Sequence, residues 1–139
     1  MHTTTKPHIL NRLIWERCSR YYETINYFPN SKYAKDSQQK IILVKSNIAA
    51  KHMSIGRFYQ ENDKFIAALN RFKIVVDDFS VTKFTPEALH RMVEIYYKLG
   101  MKDEAIHKFE LVYNNHIDSR LIPQIIKILQ TIDPNRSDY

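Results

Sequence analysis

The chain has 139 residues, with 21 Lys and Arg against 15 Asp and Glu, a formal charge of +6 with histidine neutral, and 2 glycines and 5 prolines. That length suits one domain with a substantial core. The single cysteine, Cys18, excludes an internal disulfide, no stretch approaches the length of a membrane span, and residues 1–7 lack the apolar run of a signal peptide.

Residues 1–7 and 133–139 are predicted to be disordered tails, and 8–132 a single all-α domain. The first helix runs from about His8 to Tyr27, with Ile9, Leu13, Cys18, Tyr21, Tyr22 and Ile25 in a loose stripe and Trp15 nearby. It has no upstream partner, so one face is expected to be exposed or paired with something else; 8–28 is an orphan helix of an incomplete repeat. Pro29 stops it. Ser31 is placed to cap a second helix of roughly 28 residues by its unbroken pattern, far beyond the usual 10–14. Ile41, Val44, Ile48, Ile55 and Tyr59 keep to one side of it.

After a polar break at Glu61-Asn62-Asp63, Phe65, Ala68, Leu69, Phe72, Val75 and Val76 mark a third helix over about Lys64–Asp77. A connection of about four residues allows only antiparallel packing. Gly56 and Ala68 let the two backbones approach, with Tyr59 and Phe72 filling the space beside them, which is the layout of a tetratricopeptide-type hairpin. A second copy follows. Ala68 and Ala105 stand 37 residues apart, as do Tyr59 and Tyr96. The usual period is about 34 residues, so the extra three fall in the connection at Val81–Phe84. Thr85 is the expected N-cap of a fourth helix, with Pro86 at its first helical position and Glu87 at its positive end. Leu89, Met92, Val93 and Tyr96 form its face, and Gly100 closes it. Helix five covers about Lys102–Asn115 with Ala105, Phe109 and Val112 inward. A terminal helix follows within 118–132, started by Asp118 or Ser119. The repeats thus occupy 31–80 and 85–116, with 118–132 as a cap, giving a tetratricopeptide-like α-α superhelix of about six helices, one unusually long. Each unit alone leaves a face wet, so stacking buries it.

The chemistry of an enzyme is not evident. The six histidines make no HExxH motif and no cysteine–histidine cluster. Glu87-x-x-His90 has the spacing of a di-iron half-site but lacks its second copy. Cys18 lies on a helix without a predicted base and reads as a buried structural thiol. There is no glycine-rich phosphate loop. No metal, cofactor or catalytic residue is therefore expected. The charges are spread through every helix, as on a solvated repeat surface, and no nucleic-acid partner is expected.

Three stretches carry a more specific signal: FPNSKYAKD at Phe28–Asp36, GRFYQENDKFIAALNRFKIVVDDF at Gly56–Phe79, and TPEALHRMVEIYYKLGMKDEA at Thr85–Ala105. With the overlong helix and the three-residue insertion, they resemble the BamD/ComL (YfiO-type) outer-membrane-protein assembly lipoproteins of Gram-negative bacteria, over about Leu10–Tyr113. The resemblance implies a non-enzymatic scaffold of five tetratricopeptide-like repeats, tethered by a lipidated cysteine at the periplasmic face of the outer membrane. Such a scaffold holds the BamA β-barrel insertase through a POTRA domain, alongside the other BAM lipoproteins. This chain then corresponds to the second helix of repeat three followed by repeats four and five, the BamA-facing part. The family's Asn-Arg pair corresponds to Asn70-Arg71, and that arginine is implicated in pairing with a POTRA acid. Arg71 is expected to point outward beside Ala68 and Phe72; the alternative is a surface arginine paired to Asp77, Asp78 or water. Lys64 and Lys73 are the neighbouring candidates.

The sequence departs from the family in two places. Cys18 is mid-helix without a lipidation context, and Asn114-Asn115-His116-Ile117 stands where a Tyr-Pro-Gly turn is expected. If these 139 residues are the native product, a cytoplasmic location and a truncated relative without the assembly role follow. A generic tetratricopeptide peptide-binding adaptor is the other alternative. The chain itself is not expected to insert into the membrane. A homo-oligomer through the Ile9–Ile25 face is expected.

Overall fold

The structure, a computed structural model, describes residues 9–116, 120–132 and 134. Six helices follow in order: α1 (Ile9–Tyr27), α2 (Lys32–Glu61), α3 (Phe65–Asp78), α4 (Thr85–Lys98), α5 (Lys102–Asn115) and α6 (Ile122–Ile132), with no strand among the described residues. The all-α expectation holds. The predicted tail at 1–7, that at 133–139 except for residue 134, and the helix starters Asp118 and Ser119 lie outside the described residues.

The chain divides into two compact units, Met1–Asn47 and Ile48–Tyr139, and α2 contributes to both. In the first unit, Ser31 caps α2 as expected: its Oγ accepts the Ala34 N–H at 3.1 Å and donates to the Phe28 carbonyl at 2.9 Å. Ala34, Ser37 and Ile41 on α2 are buried. None of the described α1 side chains is buried. Cys18, Tyr21 and Ile25 are half-buried, so the thiol is not the buried one predicted; the side chains of Ile9 and Leu13 lie outside the described residues. Trp15 and Tyr22, seven residues apart on one face, are 73% and 44% exposed.

The second unit is a pair of helical hairpins closed by α6. Its core is one cluster of Ala49, Met53, Ala68, Phe72, Val75, Ala88, Met92 and Ile95, and another of Leu89, Val93, Ala105, Phe109, Val112, Ile122, Ile125 and Leu129. The fourth helix is the centre: α3, α5 and α6 all pack on it. That explains why Ala88, His90 and Ile95 are buried on faces the amphipathic reading left to solvent. Gly56 meets the Phe72 ring so closely that a Cβ there would lie 2.6 Å from Cε1, which bears out the close approach read from the sequence.

The two hairpin turns are alike. Asp63 has φ 58° and Gly100 φ 73°, again 37 residues apart. In the first turn, Asp63 N donates to Gln60 O at 3.2 Å and Lys64 N to Tyr59 O at 2.9 Å. In the second, Gly100 N donates to Tyr97 O at 3.0 Å and Met101 N to Tyr96 O at 2.9 Å. This paired bonding with a left-handed residue closes the helix and leaves few orphan carbonyls. Asp63 thus serves as a glycine equivalent, and the linker is three residues rather than four. One expectation fails. Thr85 is already helical and caps nothing; its buried hydroxyl donates to Ser80 O at 3.1 Å and Phe79 O at 3.3 Å, tying α4 to the connection before it. Phe84 occupies the cap position, and its side chain has no acceptor to offer the helix amides, while the Thr85 hydroxyl one position inside the helix donates to the loop carbonyls.

Candidate interaction surface

The four residues singled out on or beside α3 do not form one patch. At about 100° per residue, Arg71 lies some 40° to the side of the Ala68–Phe72–Val75 stripe, whereas Asn70 and Lys73 fall on the opposite face. Lys64 precedes the helix. Asn70, Lys73 and Lys64 are exposed, but Arg71 is half-buried. Its guanidinium turns toward α2, where Nη1 stands 3.4 Å from His52 Nδ1. It forms no ion pair with Asp77, Asp78 or any other carboxylate among the described residues. The surface-arginine alternative that pairs it to those aspartates is therefore absent here.

The partner of Arg71 escaped sequence reasoning. His52 stacks on Phe79, ring centroids 6.0 Å apart with planes at 29°. Burial first, then the Arg71 guanidinium and Lys51, hold its imidazole below the usual range, with Asp78 acting the other way. Arginine is a donor only, so the facing Nδ1 acts as acceptor in the neutral ring. The signal available in the sequence was weak. The residue 37 positions on is Leu89, which marks position 52 as core-facing, and a polar residue at a core-facing repeat position calls for a partner.

A second polar group was missed as well. Glu87, Arg91 and Glu94 recur at i, i+4 and i+7 on α4 and meet α2 side chains. Arg57 Nη1 donates to Glu87 Oε1, Gln60 Nε2 to Glu94 Oε2 at 3.0 Å, and Arg91 Nη1 to the same oxygen at 3.2 Å. Arg91 Nε, buried, faces Glu87 Oε1 at 3.9 Å and makes no hydrogen bond. With its good geometry used at Glu94, this guanidinium serves as charge balance to Glu87 rather than as a clamp. His90 lies beneath, 6% exposed, with Nε2 3.7 Å from Glu94 Oε1. Burial chiefly depresses its pKa, while Glu94 and Glu87 act against this and Arg91 with it.

In the first unit, a groove of about 730 Å³ is lined by residues that include Arg20, Tyr21, Phe28, Tyr33, Asp36 and Lys40. Lys40 pairs with Asp36 at 2.8 Å and lies over the Tyr21 ring. Among the described residues no group of three or more His, Cys, Asp or Glu side chains is disposed to hold a metal ion, and no helix is long and apolar enough to cross a membrane.

Comparison with known proteins adds a family. Residues 14–111 match the family model described as "YfiO: Outer membrane lipoprotein". The outer membrane protein assembly factor BamD of Rickettsia prowazekii is 43% identical over 100 residues, covering 72% of this chain and 40% of that protein. The proteins of that name from Caulobacter vibrioides and Neisseria meningitidis serogroup A are 42% and 31% identical, over 60% and 61% of this chain and 27% and 32% of their own lengths. The chain spans 40% or less of each of these relatives.

Proposed function

This chain belongs to the YfiO family of outer membrane lipoproteins, and from that premise we propose that it is a protein-binding scaffold in outer-membrane protein assembly. It holds the BamA insertase through a POTRA domain, at the periplasmic face of the outer membrane and alongside the other lipoproteins of that machinery. In this reading it performs no catalysis; its relatives are named assembly factors. The family match runs through both hairpins of the second unit, and that supports the reading most.

Arg71 is the contact we assign to an acidic residue of the partner. Its guanidinium sits at the rim of α3, held in place yet without a carboxylate of its own among the described residues. A planar, permanently charged fork in that state suits bidentate pairing with a carboxylate. Asn70, Lys73 and Lys64 are exposed on other sides, so a role for them in partner binding requires a contact separate from that of Arg71. Isothermal titration of the chain with the POTRA region of the insertase tests the proposal. Binding that weakens at least about thirtyfold with Arg71→Glu supports it, since removing one partner of a hydrogen-bonded charge pair costs about 2 kcal/mol or more. Absent binding, or binding indifferent to that change, overturns it.

One observation favours self-association as a second property: Trp15 and Tyr22 share an exposed face on α1, with Tyr27 and Phe28 exposed at its end. Exposed apolar faces seek cover. Light scattering at tens of micromolar should give more than the monomer mass, and Trp15→Glu should restore the monomer; a monomeric wild type refutes it.

A further inference from the structure

Two basic side chains that face each other at 3.4 Å without an acid between them form an incomplete anion site. Arg71 Nη1 and His52 Nδ1 are in that position, on two different helices, with the imidazole held by its stack on Phe79. Both residues are half-buried, so each retains an accessible edge. The charged groups around the imidazole are Arg71 and Asp78 from α3 and Lys51 from α2 itself. Burial first and then the two cations disfavour protonation, and Asp78 favours it without forming an ion pair with the ring. The free site therefore carries one charge fewer than its residues could supply.

We infer that His52 and Arg71 together form a carboxylate-binding site whose second arm is switched on by proton uptake. The inference rests on the reading of Arg71 as the partner contact and adds to it a residue, a stoichiometry and a pH dependence. A carboxylate that docks against Arg71 brings to the imidazole what Asp78 supplies at longer range. The protonated ring then donates Nδ1–H to one carboxylate oxygen, while Nη1–H of Arg71 donates to the other. The proton comes from solvent and no covalent bond is made or broken; the Arg71–His52 hydrogen bond of the free site is given up, and two charge-assisted hydrogen bonds to the carboxylate replace it. By linkage, any ligand that favours the protonated ring binds more tightly as pH falls, by at most about tenfold per pH unit for one proton.

The test is titration of the chain with the POTRA region of the insertase between about pH 7.5 and 5.5, in two buffers of different ionisation enthalpy, which counts protons taken up on binding. Affinity should rise about three- to tenfold across that range with net uptake approaching one proton in the acid half. His52→Gln, which keeps a hydrogen-bonding group but cannot titrate, should abolish both effects and leave affinity at the high-pH value. The imidazole titration of the free chain, followed by NMR, should move upward in Arg71→Gln. If Arg71→Glu abolishes binding while pH dependence is flat or persists in His52→Gln, the inference falls and the Arg71 contact stands. Binding indifferent to Arg71→Glu removes the contact itself. An unmoved imidazole titration in Arg71→Gln refutes the coupling without reference to any partner.

Discussion

Replacing Gly56 with alanine sets two known effects against each other. In a helix interior, alanine is favoured over glycine by about 1 kcal/mol. Against this, the new Cβ would stand 2.6 Å from Phe72 Cε1 and 2.9 Å from Cζ. The Phe72 ring is wholly buried among Ala49, Met53, Ala68 and Val75, so it has no solvent into which to turn. Overpacking of a closed core costs about 1–3 kcal/mol, and a contact this short belongs at the upper end. The net loss should be about 1–2 kcal/mol, a fall in Tm of about 3–8 °C for a chain of this size. Urea denaturation followed by circular dichroism measures it. Phe72→Leu, which shortens the opposing ring, supplies the control. In its background, Gly56→Ala should cost at least about 1 kcal/mol less, or become stabilising, because the two sites share one contact. If Gly56→Ala alone stabilises the chain by the propensity gain, the helices are not in the contact described and the account of this hairpin is wrong.

Other consequences can be measured on the same footing. Asp63→Gly should stabilise by about 0.5–1 kcal/mol in thermal melts, since it relieves a non-glycine residue in left-handed conformation. Glu87→Ala should cost about 1–2 kcal/mol, because its carboxylate satisfies Arg57 and balances Arg91 at a partly buried position; in the Arg57→Ala background the cost should shrink. The pKa of His90 is depressed from 6.5 in the folded chain, so the unfolded state takes up the proton first. The contribution of His90 to stability is complete above about pH 6.5 and is lost as pH falls toward the folded pKa. His90→Met, which copies Met53 at the equivalent repeat position, should flatten the drop in Tm between about pH 7 and 5.5. A drop as steep as in the wild type would show that other groups cause it.

What the sequence disclosed and what it concealed divide along physical lines. Periodic burial leaves a periodic trace, so the hairpins, the long α2, the approach at Gly56 and the Gly100 turn could be read directly. Contacts between polar side chains leave none. His52 and Arg71 are 19 residues apart, and Arg57 and Glu87 are 30 apart, on separate helices with no shared pattern. Arg71 was singled out by family resemblance, but its direction was not: the sequence placed it outward, and an acceptor on α2 turns it along the rim. Thr85 misled because the hydroxyl that suits a cap also suits a loop carbonyl, and only the fold decides which lies nearer. Asp63 was hidden because residues other than glycine adopt a left-handed turn too rarely for one to be expected.

The bonds from Arg57 to Glu87 and from Gln60 to Glu94 join the leading helices of successive hairpins. In a linear array, the sharpness of unfolding depends on how costly it is to hold a boundary between a folded repeat and a melted one. Here that boundary would break the Arg57–Glu87 pair and leave one partly buried charge without its partner on whichever side stays folded, so intermediates with only one hairpin formed are disfavoured. Melting of Ile48–Tyr139 should therefore be all-or-none, with slowly exchanging amides of both hairpins opening at a common free energy. A scaffold built this way presents its binding surface whole or not at all.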